Sequence, residues 1–263
     1  MSIPSNRRDV KSRLRRRYDA TRRLAQAAQT RLDVLTAAHE LFPKRGYAGT
    51  TIKEVATYAG VAVETIYRAF GSKAALFKGV LEAAIAGGAG RAANPPEQRP
   101  AVRKMAEELD PRRVLELHAA TQPGIHARSG PYHRVLREAA SADSDLAGVW
   151  RQLEAQRLDG MTRLARRLDD LEALRPGLSV DDARDILWTI NSHAVYDLLV
   201  IQRGWPPERY RDWIAATNAH ALLAHAENPP RARSSAATAQ KTRKTIMARN
   251  GPLARRRSPI ERS

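Results

Sequence analysis

Apolar residues recur at intervals of three and four along most of the chain, the spacing that places them on one side of an α-helix. Between residues 31 and 42 they are Val34, Leu35, Ala38, Leu41 and Phe42. The alternation of apolar and polar residues typical of strands is hard to find. The pattern predicts an all-α protein, and because no run reaches about 18 apolar residues, it predicts no membrane span.

Three short helices are predicted between residues 51 and 86. Thr51 followed by Glu54 forms a capping box before "IKEVATYA", so a helix begins there. Gly60 ends it after about two turns, and a second helix follows in "GVAVETIYRAF" (60–70). Ser72 caps the third, "KAALFKGVLEAAIA". The helix before them carries Pro43 near its last turn, where the missing N–H should loosen or kink it.

The second of these helices is too short to be stable alone, since isolated helices of fewer than about 12 residues are marginal in water. Ala56 is small enough for two helices to cross closely, and Gly60 can adopt the positive φ of a tight turn. The apolar side of the second helix would then enter a shared core: Val61, Ile66 and Phe70. Its polar side would stay free: Glu64, Thr65 and Arg68. This is a helix-turn-helix, whose free face fits the major groove of B-DNA; a helical hairpin with no DNA role is the alternative.

The net charge of +17 is concentrated at the two ends of the chain. Residues 1–24 carry +7 and residues 227–263 carry +8, which leaves +2 for the residues between them. Segments of like charge without apolar periodicity are typical of disorder, and basic segments suit nucleic acids or anionic membrane surfaces. We therefore predict a disordered arm and tail, and expect the arginines of the arm to contact DNA: Arg13, Arg15, Arg16, Arg17, Arg22 and Arg23.

Composition divides the chain into five predicted segments. The stretch "GGAGRAANPPEQRP" is rich in Gly and Pro, as linkers are. We predict a basic disordered arm (1–24), a helix-turn-helix DNA-binding domain (25–88, motif 51–70), a linker (89–100), a helical regulatory and dimerisation domain (101–226) and a basic disordered tail (227–263). Beyond the linker, helical patterns lie near 100–109, 111–126, 131–147, 148–173, 181–202 and 207–225.

No arrangement of residues predicts catalysis, a metal or a cofactor. The pairs His118/His126 and His220/His225 lack the i, i+4 spacing that puts two ligands on one helix face, so we expect core or surface histidines. No serine lies in a nucleophile-elbow context, and there is no Gly-rich phosphate loop. The chain has no cysteine and its basic N-terminus lacks the apolar stretch of a signal peptide; both fit a cytoplasmic protein.

Aromatic and polar residues are mixed in the C-terminal half, as in the walls of small-molecule pockets between helices. The candidate pocket residues are Trp150, Trp188, Asn191, His193 and Tyr196. The alternative is that these residues belong to an ordinary core or interface.

Residues 30–86 closely resemble the N-terminal domain of TetR-type (tetracycline-repressor-like) transcriptional regulators, through "VLTAAHELFPKRGYAGTTIKEVATYAGVAVETIYRAFGSKAALFKGVL" and above all "TIYRAF" followed by "SK". The resemblance implies that the helix after Gly60 is a recognition helix. It implies phosphate contacts by Tyr67 and Lys73, a backbone contact by Thr51, and base contacts by the first residues of the helix: Val63, Glu64 and Thr65.

Three positions depart from the pattern usual in this family, namely Ala62, Ala69 and Gly71. Ala62 stands where a Ser cap is common, which removes about 1 kcal/mol of capping. Glu64 therefore has two interpretations. Its carboxylate either accepts a hydrogen bond from cytosine N4 or steadies the positive end of the helix dipole.

The resemblance also implies a homodimer formed through the last two long helices. Their apolar stripes give the candidate interface: Leu187, Ile190, Ala194, Leu198, Ile201, Ile214, Ala221 and Leu222. Alternatively, the stripes face the chain's own core. We interpret the whole as a dimeric regulator, expected to repress, which binds a near-palindromic double-stranded operator and responds to an unknown small molecule. The alternatives are an architectural DNA-binding protein without an effector, and a protein–protein adaptor that retains the fold.

Overall fold

The computed structural model describes residues 7–224, with side chains from residue 18 onward. The regular elements of this part of the chain are all helices, and its one β-type pairing is an isolated bridge between Leu174 and Leu223. The α-helices are α1 (Arg7–Arg45), α2 (Ile52–Ala59), α3 (Val63–Phe70), α4 (Lys73–Ala86), α5 (Ala89–Ala92), α6 (Pro100–Glu107), α7 (Pro111–Ala139), α8 (Ser144–Asp170), α9 (Val180–Ile190), α10 (His193–Tyr196) and α11 (Pro207–Leu222). A 3₁₀ turn (Pro96–Gln98) precedes α6, and a π-helical stretch (Asp197–Gln202) follows α10. None of the described helices is long and apolar enough to cross a membrane.

The basic arm does not match its predicted disorder over residues 7–24, because α1 begins at Arg7. Two features explain the helix. Residues 7–42 contain no Gly or Pro and are rich in Arg, Leu and Ala, which favour helix, and the buried far end of α1 provides a nucleus onto which each further residue adds one hydrogen bond. Residues 18–29, including Arg22 and Arg23, are exposed on every side. The side chains of Arg13, Arg15, Arg16 and Arg17, like the whole predicted tail (227–263), lie outside the described residues.

One hydrophobic core joins the first four helices to α7 and α8. Phe42 of α1 packs edge-on against Phe77 of α4, with ring centroids 4.9 Å apart. Phe77 in turn contacts Tyr132 of α7 at 6.1 Å, and the same cluster includes Ile66 of α3 and Leu146 of α8. The predicted linker (89–100) contains α5 and the 3₁₀ turn, and the packing does not divide there: residues up to Ala224 belong to one compact unit.

Pro43 creates an unpaired carbonyl that α7 uses. In an α-helix the N–H of residue 43 would bond the carbonyl of residue 39, but proline has no N–H. The carbonyl oxygen of His39 instead accepts a hydrogen bond from the Tyr132 hydroxyl at 2.9 Å. The hydroxyl oxygen also lies 2.5 Å from Nδ1 of His39, and Tyr132 is 1% exposed. Pro43, which was expected to loosen or kink α1, therefore leaves free the carbonyl through which α1 is bonded to α7.

Two helix boundaries in the C-terminal half differ from the sequence pattern. The predicted break between 126 and 131 is wrong, because α7 continues through Pro123 and Pro131. Each proline removes one backbone hydrogen bond, and the packing of α7 against several other helices keeps it helical. The predicted helix 181–202 is instead interrupted after Ile190. There the Asn191 side chain donates to the Leu187 carbonyl at 2.7 Å, which ends α9.

A second and a third core cluster hold the C-terminal half together. The second joins the first turns of α7 to α8, α9 and α11, with Leu115, Leu168, Leu187 and Leu222 wholly buried. Backbone bonds fasten the end of α11 to the loop after α8, from Arg175 N to Leu222 O at 2.8 Å and from Ala224 N to Ala173 O at 3.1 Å. The third cluster surrounds Tyr196 and Tyr210.

The bond between Tyr132 and His39 should make a measurable contribution to stability. In Tyr132→Phe the part-buried hydrogen bond to the His39 carbonyl is lost, so we expect a loss of about 0.5–1.5 kcal/mol in the free energy of unfolding. Chemical denaturation measures this. The control is Tyr58→Phe, because Tyr58 is 62% exposed and should change stability by less than about 0.5 kcal/mol.

A double-mutant cycle with Pro43→Ala isolates the bond itself. Alanine restores an N–H that can bond the His39 carbonyl, so Tyr132→Phe should cost less in the Pro43→Ala background. An equal cost in both backgrounds would show that the hydroxyl acts through something other than this carbonyl.

Candidate DNA-binding surface and buried histidine cluster

The turn between α2 and α3 has the geometry that the sequence predicts. Thr51 Oγ accepts from the backbone N–H of Glu54 at 3.2 Å, and the Glu54 carboxylate accepts from the N–H of Thr51 at 2.9 Å, which completes the capping box. Gly60 adopts the left-handed conformation (φ 66°, ψ 34°). Ala56 is 3% exposed, and its carbonyl accepts from the Val61 N–H at 3.0 Å. These contacts set the angle at which α3 leaves α2.

One side of α3 enters the core, and the other faces solvent. Ile66 is 1% exposed, and Val63 and Phe70 pack partly buried against the same cluster. The exposed residues of α3 are Glu64, Tyr67, Arg68 and Ala69. Among the three predicted base-contacting residues, Glu64 is the exposed one, while Val63 and Thr65 are half-buried. The N-cap residue Ala62 makes no side-chain cap, as expected.

Arg31 holds the end of α3, a contact that sequence reasoning missed. Its guanidinium donates to the Ala69 carbonyl at 2.8 Å and lies 4.1 Å from the centroid of the Phe70 ring. A cation at the C-terminal end of a helix pairs with carbonyls that have no partner in the helix and with the negative end of its dipole. The two partners are 38 residues apart in sequence, so no local pattern marks the pair.

Thr51 and Lys73, the two predicted DNA-contacting residues on either side of the predicted recognition helix, also make contacts within the protein. The Thr51 hydroxyl donates to the Glu54 carboxylate at 3.0 Å while it caps α2. Lys73 is half-buried, with its Nζ 4.2 Å from the centroid of the Tyr47 ring, and burial lowers the pKa of its amine. The Tyr67 side chain is more exposed than that of Lys73, at 51%.

A second cluster of polar side chains is buried between α7, α8, α10 and α11. His193 lies against two histidines of α7, with ring centroids 4.3 Å from His126 and 3.5 Å from His133. Ser129 Oγ and His193 Nε2 are 2.8 Å apart. Tyr196 and Tyr210 border His126, with ring centroids at 5.1 and 6.0 Å. We call His126, His133, His193, Tyr196 and Tyr210 the histidine cluster.

Three of the five predicted pocket residues, His193, Tyr196 and Trp150, lie in or beside this cluster, while Asn191 and Trp188 make other contacts. His193 and Tyr196 belong to it, and Trp150 packs against His133 at 6.2 Å between ring centroids. Asn191 is buried and accepts from the Asn218 side chain at 3.4 Å. The Trp188 ring lies 4.3 Å below the guanidinium of Arg157, which also donates to the Trp188 carbonyl at 2.6 Å. Sequence reasoning missed His126, His133, Arg157 and Tyr210, because residues from separate helices become neighbours only in the fold.

Several polar atoms of this region have no hydrogen-bond partner although they are buried. They are both ring nitrogens of His126, Nδ1 of His118, Nε1 of Trp188, the hydroxyl of Tyr210 and Oδ1 of Asn218. Each such group typically costs about 1–3 kcal/mol while it is left without a partner. Metal binding is not indicated: across residues 18–224, no three or more His, Asp or Glu side chains are placed to hold an ion.

Burial keeps these histidines neutral at physiological pH. It lowers the pKa of His126 from 6.5 to about 3, with further contributions from His133 and Arg157. It lowers the pKa of His118 and of His133 to about 4. The pKa of His193 is also lowered, first by burial and then by the neighbouring histidines.

Three of the predicted dimer-interface residues are wrongly assigned. Leu187, Ile214 and Leu222 are each 0% exposed within the chain's own core, because an amphipathic stripe looks the same whether it meets its own chain or another. Ile190 and Ala221 are half-buried. The exposed members of the set are Ala194, Leu198 and Ile201, of which Leu198 is 53% and Ile201 60% exposed.

The N-terminal helices are similar to a known family of regulators. Residues 34–80 match the family of bacterial regulatory proteins called the tetR family. The chain is 27% identical over 156 residues to the HTH-type transcriptional repressor BepR of Brucella suis, a match that covers 56% of this chain and 71% of BepR. It is 43% identical over 60 residues to the repressor NicS of Pseudomonas putida, which covers 23% of this chain and 28% of NicS. A match to the regulator TtgR of Pseudomonas putida, 26% identical, covers 51% of this chain and 61% of TtgR.

Solved structures share the fold over most of the described chain. One is NalD, the secondary repressor of the MexAB-OprM multidrug efflux pump in Pseudomonas aeruginosa, with a TM-score of 0.58 and 21% identity over 75% of this chain and 98% of NalD. Another is FadR of Bacillus subtilis, with a TM-score of 0.56 and 15% identity over 72% of this chain and 97% of FadR. At these identities the likeness concerns the fold.

The buried histidines should make the protein less stable in acid. The unfolded chain takes up protons as the pH falls below about 6.5, whereas the folded chain does not until its lowered pKa values are reached. Stability is therefore fully present above pH 6.5 and is lost below it, by up to about 1.4 kcal/mol per pH unit for each such histidine. Denaturation in urea between pH 7.5 and 5 measures the slope.

The variant His126→Gln removes one of these titrations. Its slope below pH 6 should be smaller than that of the parent by up to about 1.4 kcal/mol per unit. His220→Gln, which changes an exposed histidine of α11, is the control. An unchanged slope in His126→Gln would mean that His126 titrates alike in both states.

Proposed function

Because the chain belongs to the TetR family of bacterial regulatory proteins, we propose that it binds an operator DNA as a homodimer and is released by a small molecule bound in its C-terminal half. The observation that carries the proposal is α3, whose inner side is anchored while its outer side is free. Repression is the expected mode, since the relatives BepR and NicS are named as repressors. A regulator of genes acts where the DNA is, so we propose a cytoplasmic location.

The outer side of α3 fits the major groove, which accepts one α-helix. We propose that Glu64 reads a base edge because it is the exposed residue in the first turn. Tyr67 and Arg68, exposed further along the same helix, would then lie near the phosphates. Lys73 and Thr51 would also contact the DNA backbone, from positions that are held by Tyr47 and Glu54 respectively.

The exposed apolar residues of α10 and the π-helical stretch are the proposed dimer contact. Leu198 and Ile201 are two of the large apolar side chains left exposed on this part of the chain, and Ala194 lies on the same segment. π-helical turns are rare and are frequently found at functional sites. Dimerisation through this segment would bury the Leu198 and Ile201 side chains, which are exposed to solvent in the single chain.

The histidine cluster is the proposed effector site. It is buried, it has aromatic walls, and several of its polar atoms are unpartnered. A ligand there would contact α7, whose Tyr132 is bonded to α1, so binding could change the spacing of the two recognition helices. A typical coupling of about 1–3 kcal/mol changes operator affinity about 5- to 150-fold.

The basic extension of α1 favours one alternative, an architectural DNA-binding protein without an effector. Such a protein would gain its affinity from phosphate contacts, which carry no sequence information. Random competitor DNA at physiological salt separates the two. A regulator keeps a specific footprint under these conditions, and an architectural binder loses its selectivity.

Selection from random DNA tests the proposal and the role of Glu64 together. The parent protein should select a near-palindrome with half-sites about one helical turn, or a multiple of it, apart. Glu64→Gln should relax one base position in each half-site by about 1–3 kcal/mol, whereas Glu107→Gln on α6 should not. An unchanged site with a lower melting temperature would assign Glu64 to the helix dipole instead.

Sedimentation tests the dimer contact. The double variant Leu198→Asp and Ile201→Asp should shift the protein to a monomer, because two carboxylates would have to be desolvated in the interface. Leu109→Asp is the matched control, since Leu109 is 74% exposed but lies before α7. A variant that remains dimeric would place the interface elsewhere.

A further inference from the structure

The DNA-binding surface proposed above carries little positive charge of its own. Residues 25–88 hold seven Lys or Arg and five Asp or Glu, a net charge of +2. Three of these cations pair with carboxylates: Lys44 with Glu40, Arg45 with Glu54 and Lys78 with Glu82. Arg31 is bonded to the end of α3, so Lys53, Arg68 and the half-buried Lys73 remain available for phosphates. Because affinity for DNA depends strongly on cations that neutralise phosphates, this surface alone offers few of the contacts that give affinity.

The N-terminal part of α1 has the charge that this surface lacks. We call residues 7–24 of α1 the arm helix. It holds nine Lys or Arg and two Asp, a net charge of +7. Its described side chains, from Tyr18 onward, are exposed. Arg23 donates to the backbone carbonyl of Asp19 at 3.2 Å, and over residues 18–224 neither Arg22 nor Arg23 has a carboxylate partner. The described part of the arm helix is therefore open to an anionic partner.

The arm helix is continuous with the part of α1 that contacts α3. The helix α1 runs from Arg7 to Arg45. Arg31, about two turns after the arm helix ends, donates to the Ala69 carbonyl at the end of α3, at 2.8 Å. Tyr67 and Arg68, which precede Ala69, are exposed and are the residues proposed to lie near the phosphates. The arm helix therefore leaves the body of the protein beside the proposed phosphate contacts of α3.

An anionic membrane surface fits the arm helix less well than DNA does. Helices that lie on membranes bury a broad apolar side with large residues such as Trp, Phe and Leu. Over residues 18–29 the large apolar residues are Tyr18 and Leu24, and the others are Asp, Thr, Arg, Ala and Gln. At about 100° per residue, Tyr18 and Leu24 point about 120° apart. Phosphates of a DNA backbone require positive charge and no such apolar side.

We propose, on the basis of the operator binding proposed above, that the arm helix is a second DNA-binding element, which contacts backbone phosphates beside the bases assigned to α3. Such contacts add affinity and position the protein, but they carry no base information. Because α1 is one continuous helix, its backbone is already ordered before DNA binds. Binding then does not have to order a flexible chain, which would cost conformational entropy. The helical state of the arm is therefore part of the proposal.

The salt dependence of DNA binding tests the phosphate contacts. The full chain is compared with a variant that lacks residues 2–24, on the selected operator with flanking DNA on both sides. Helical periodicity distributes the nine cations around the axis, so about four or five can meet one backbone, each worth about 0.9 in the slope of log K against log salt. The deletion should therefore lower the slope by about 4 for each bound arm and weaken binding about 100-fold or more near 0.1 M salt. Equal slopes and affinities would overturn the proposal.

A pair of point variants locates the effect on the arm helix. Arg22→Gln combined with Arg23→Gln should lower the slope by about 1–2 for each arm, while the selected sequence stays the same. The matched control is Arg112→Gln combined with Arg166→Gln, which removes two exposed arginines of α7 and α8 and should leave the slope unchanged. Equal losses in the two double variants would attribute the effect to net charge alone and overturn the proposal.

Ala25→Pro tests whether the arm has to be helical. Ala25 is exposed, so the substitution removes no packing and no charge, but a proline inside a helix breaks or kinks it. Hydroxyl-radical footprinting should show protection of the backbone outside each half-site with the parent protein, and loss of that protection with Ala25→Pro, which should also bind several-fold more weakly. Ala25→Ser, the control, should behave as the parent does. A parent-like footprint and affinity for Ala25→Pro would overturn the requirement for a helix.

Two further outcomes separate this inference from its alternatives. If vesicles of phosphatidylcholine and phosphatidylserine bind the full chain but not the deletion variant, while both bind DNA equally, a membrane replaces DNA as the partner and the inference fails. If an operator is selected and the deletion changes nothing, the inference fails and the regulator stands. If no operator is selected, the proposed operator binding fails, whereas the arm remains testable on random DNA, because phosphate contacts carry no sequence information.

Discussion

The hydrogen bond from Tyr132 to the carbonyl of His39 joins the two halves of the described chain. It exists because Pro43 cannot occupy that carbonyl, and its partners are 93 residues apart. Around it the rings of Phe42, Phe77 and Tyr132 form a continuous contact. The eight-residue helix α3 depends on this core, because a helix of that length has little stability of its own and is held by Ile66 inside and Arg31 at its end.

The helix that carries Tyr132, α7, also carries two members of the histidine cluster, His126 and His133. His133 follows Tyr132 directly, and consecutive helical residues point about 100° apart, so one faces α1 and α4 while the other faces His193. A displacement of α7 caused by a ligand would therefore reach His39 without passing through a loop. Arg128 adds a second connection, since its Nε donates to the Ala84 carbonyl near the end of α4 at 2.9 Å. Packed side chains and hydrogen bonds therefore connect the cluster to α1 and α4 without a break, as in the networks that can carry coupling between distant sites.

Local features were predictable from sequence, and long-range ones were not. The capping box of Thr51 and Glu54, the left-handed Gly60 and the buried Ile66 all depend on neighbours within a few residues. The role of Arg31 and the use made of Pro43 depend on residues that only the fold brings close. The dimer interface predicted from the apolar stripe on α9 and α11 was wrong for another reason. Periodicity shows that one side of a helix is apolar, but it does not show whether the same chain or a partner covers that side. Leu187 and Leu222 are covered by their own chain. Charge composition likewise predicted a disordered arm, although helix propensity favoured the helix found in residues 7–24.

A helical arm changes how the charge of the N-terminus can be used. From Arg7 to Arg31 the helix α1 rises about 36 Å, at about 1.5 Å per residue, which is close to the length of one turn of B-DNA. A flexible arm could turn nearly all of its arginines toward phosphates or enter a minor groove. A helix spreads them around its axis, so only those on one side can meet a given backbone at the same time. Arg31 bonds this helix to the end of α3, so the arm continues from a point beside the proposed recognition helix. In the DNA complex proposed above, this helical arm would extend beyond α3 and meet the DNA backbone outside the bases assigned to α3.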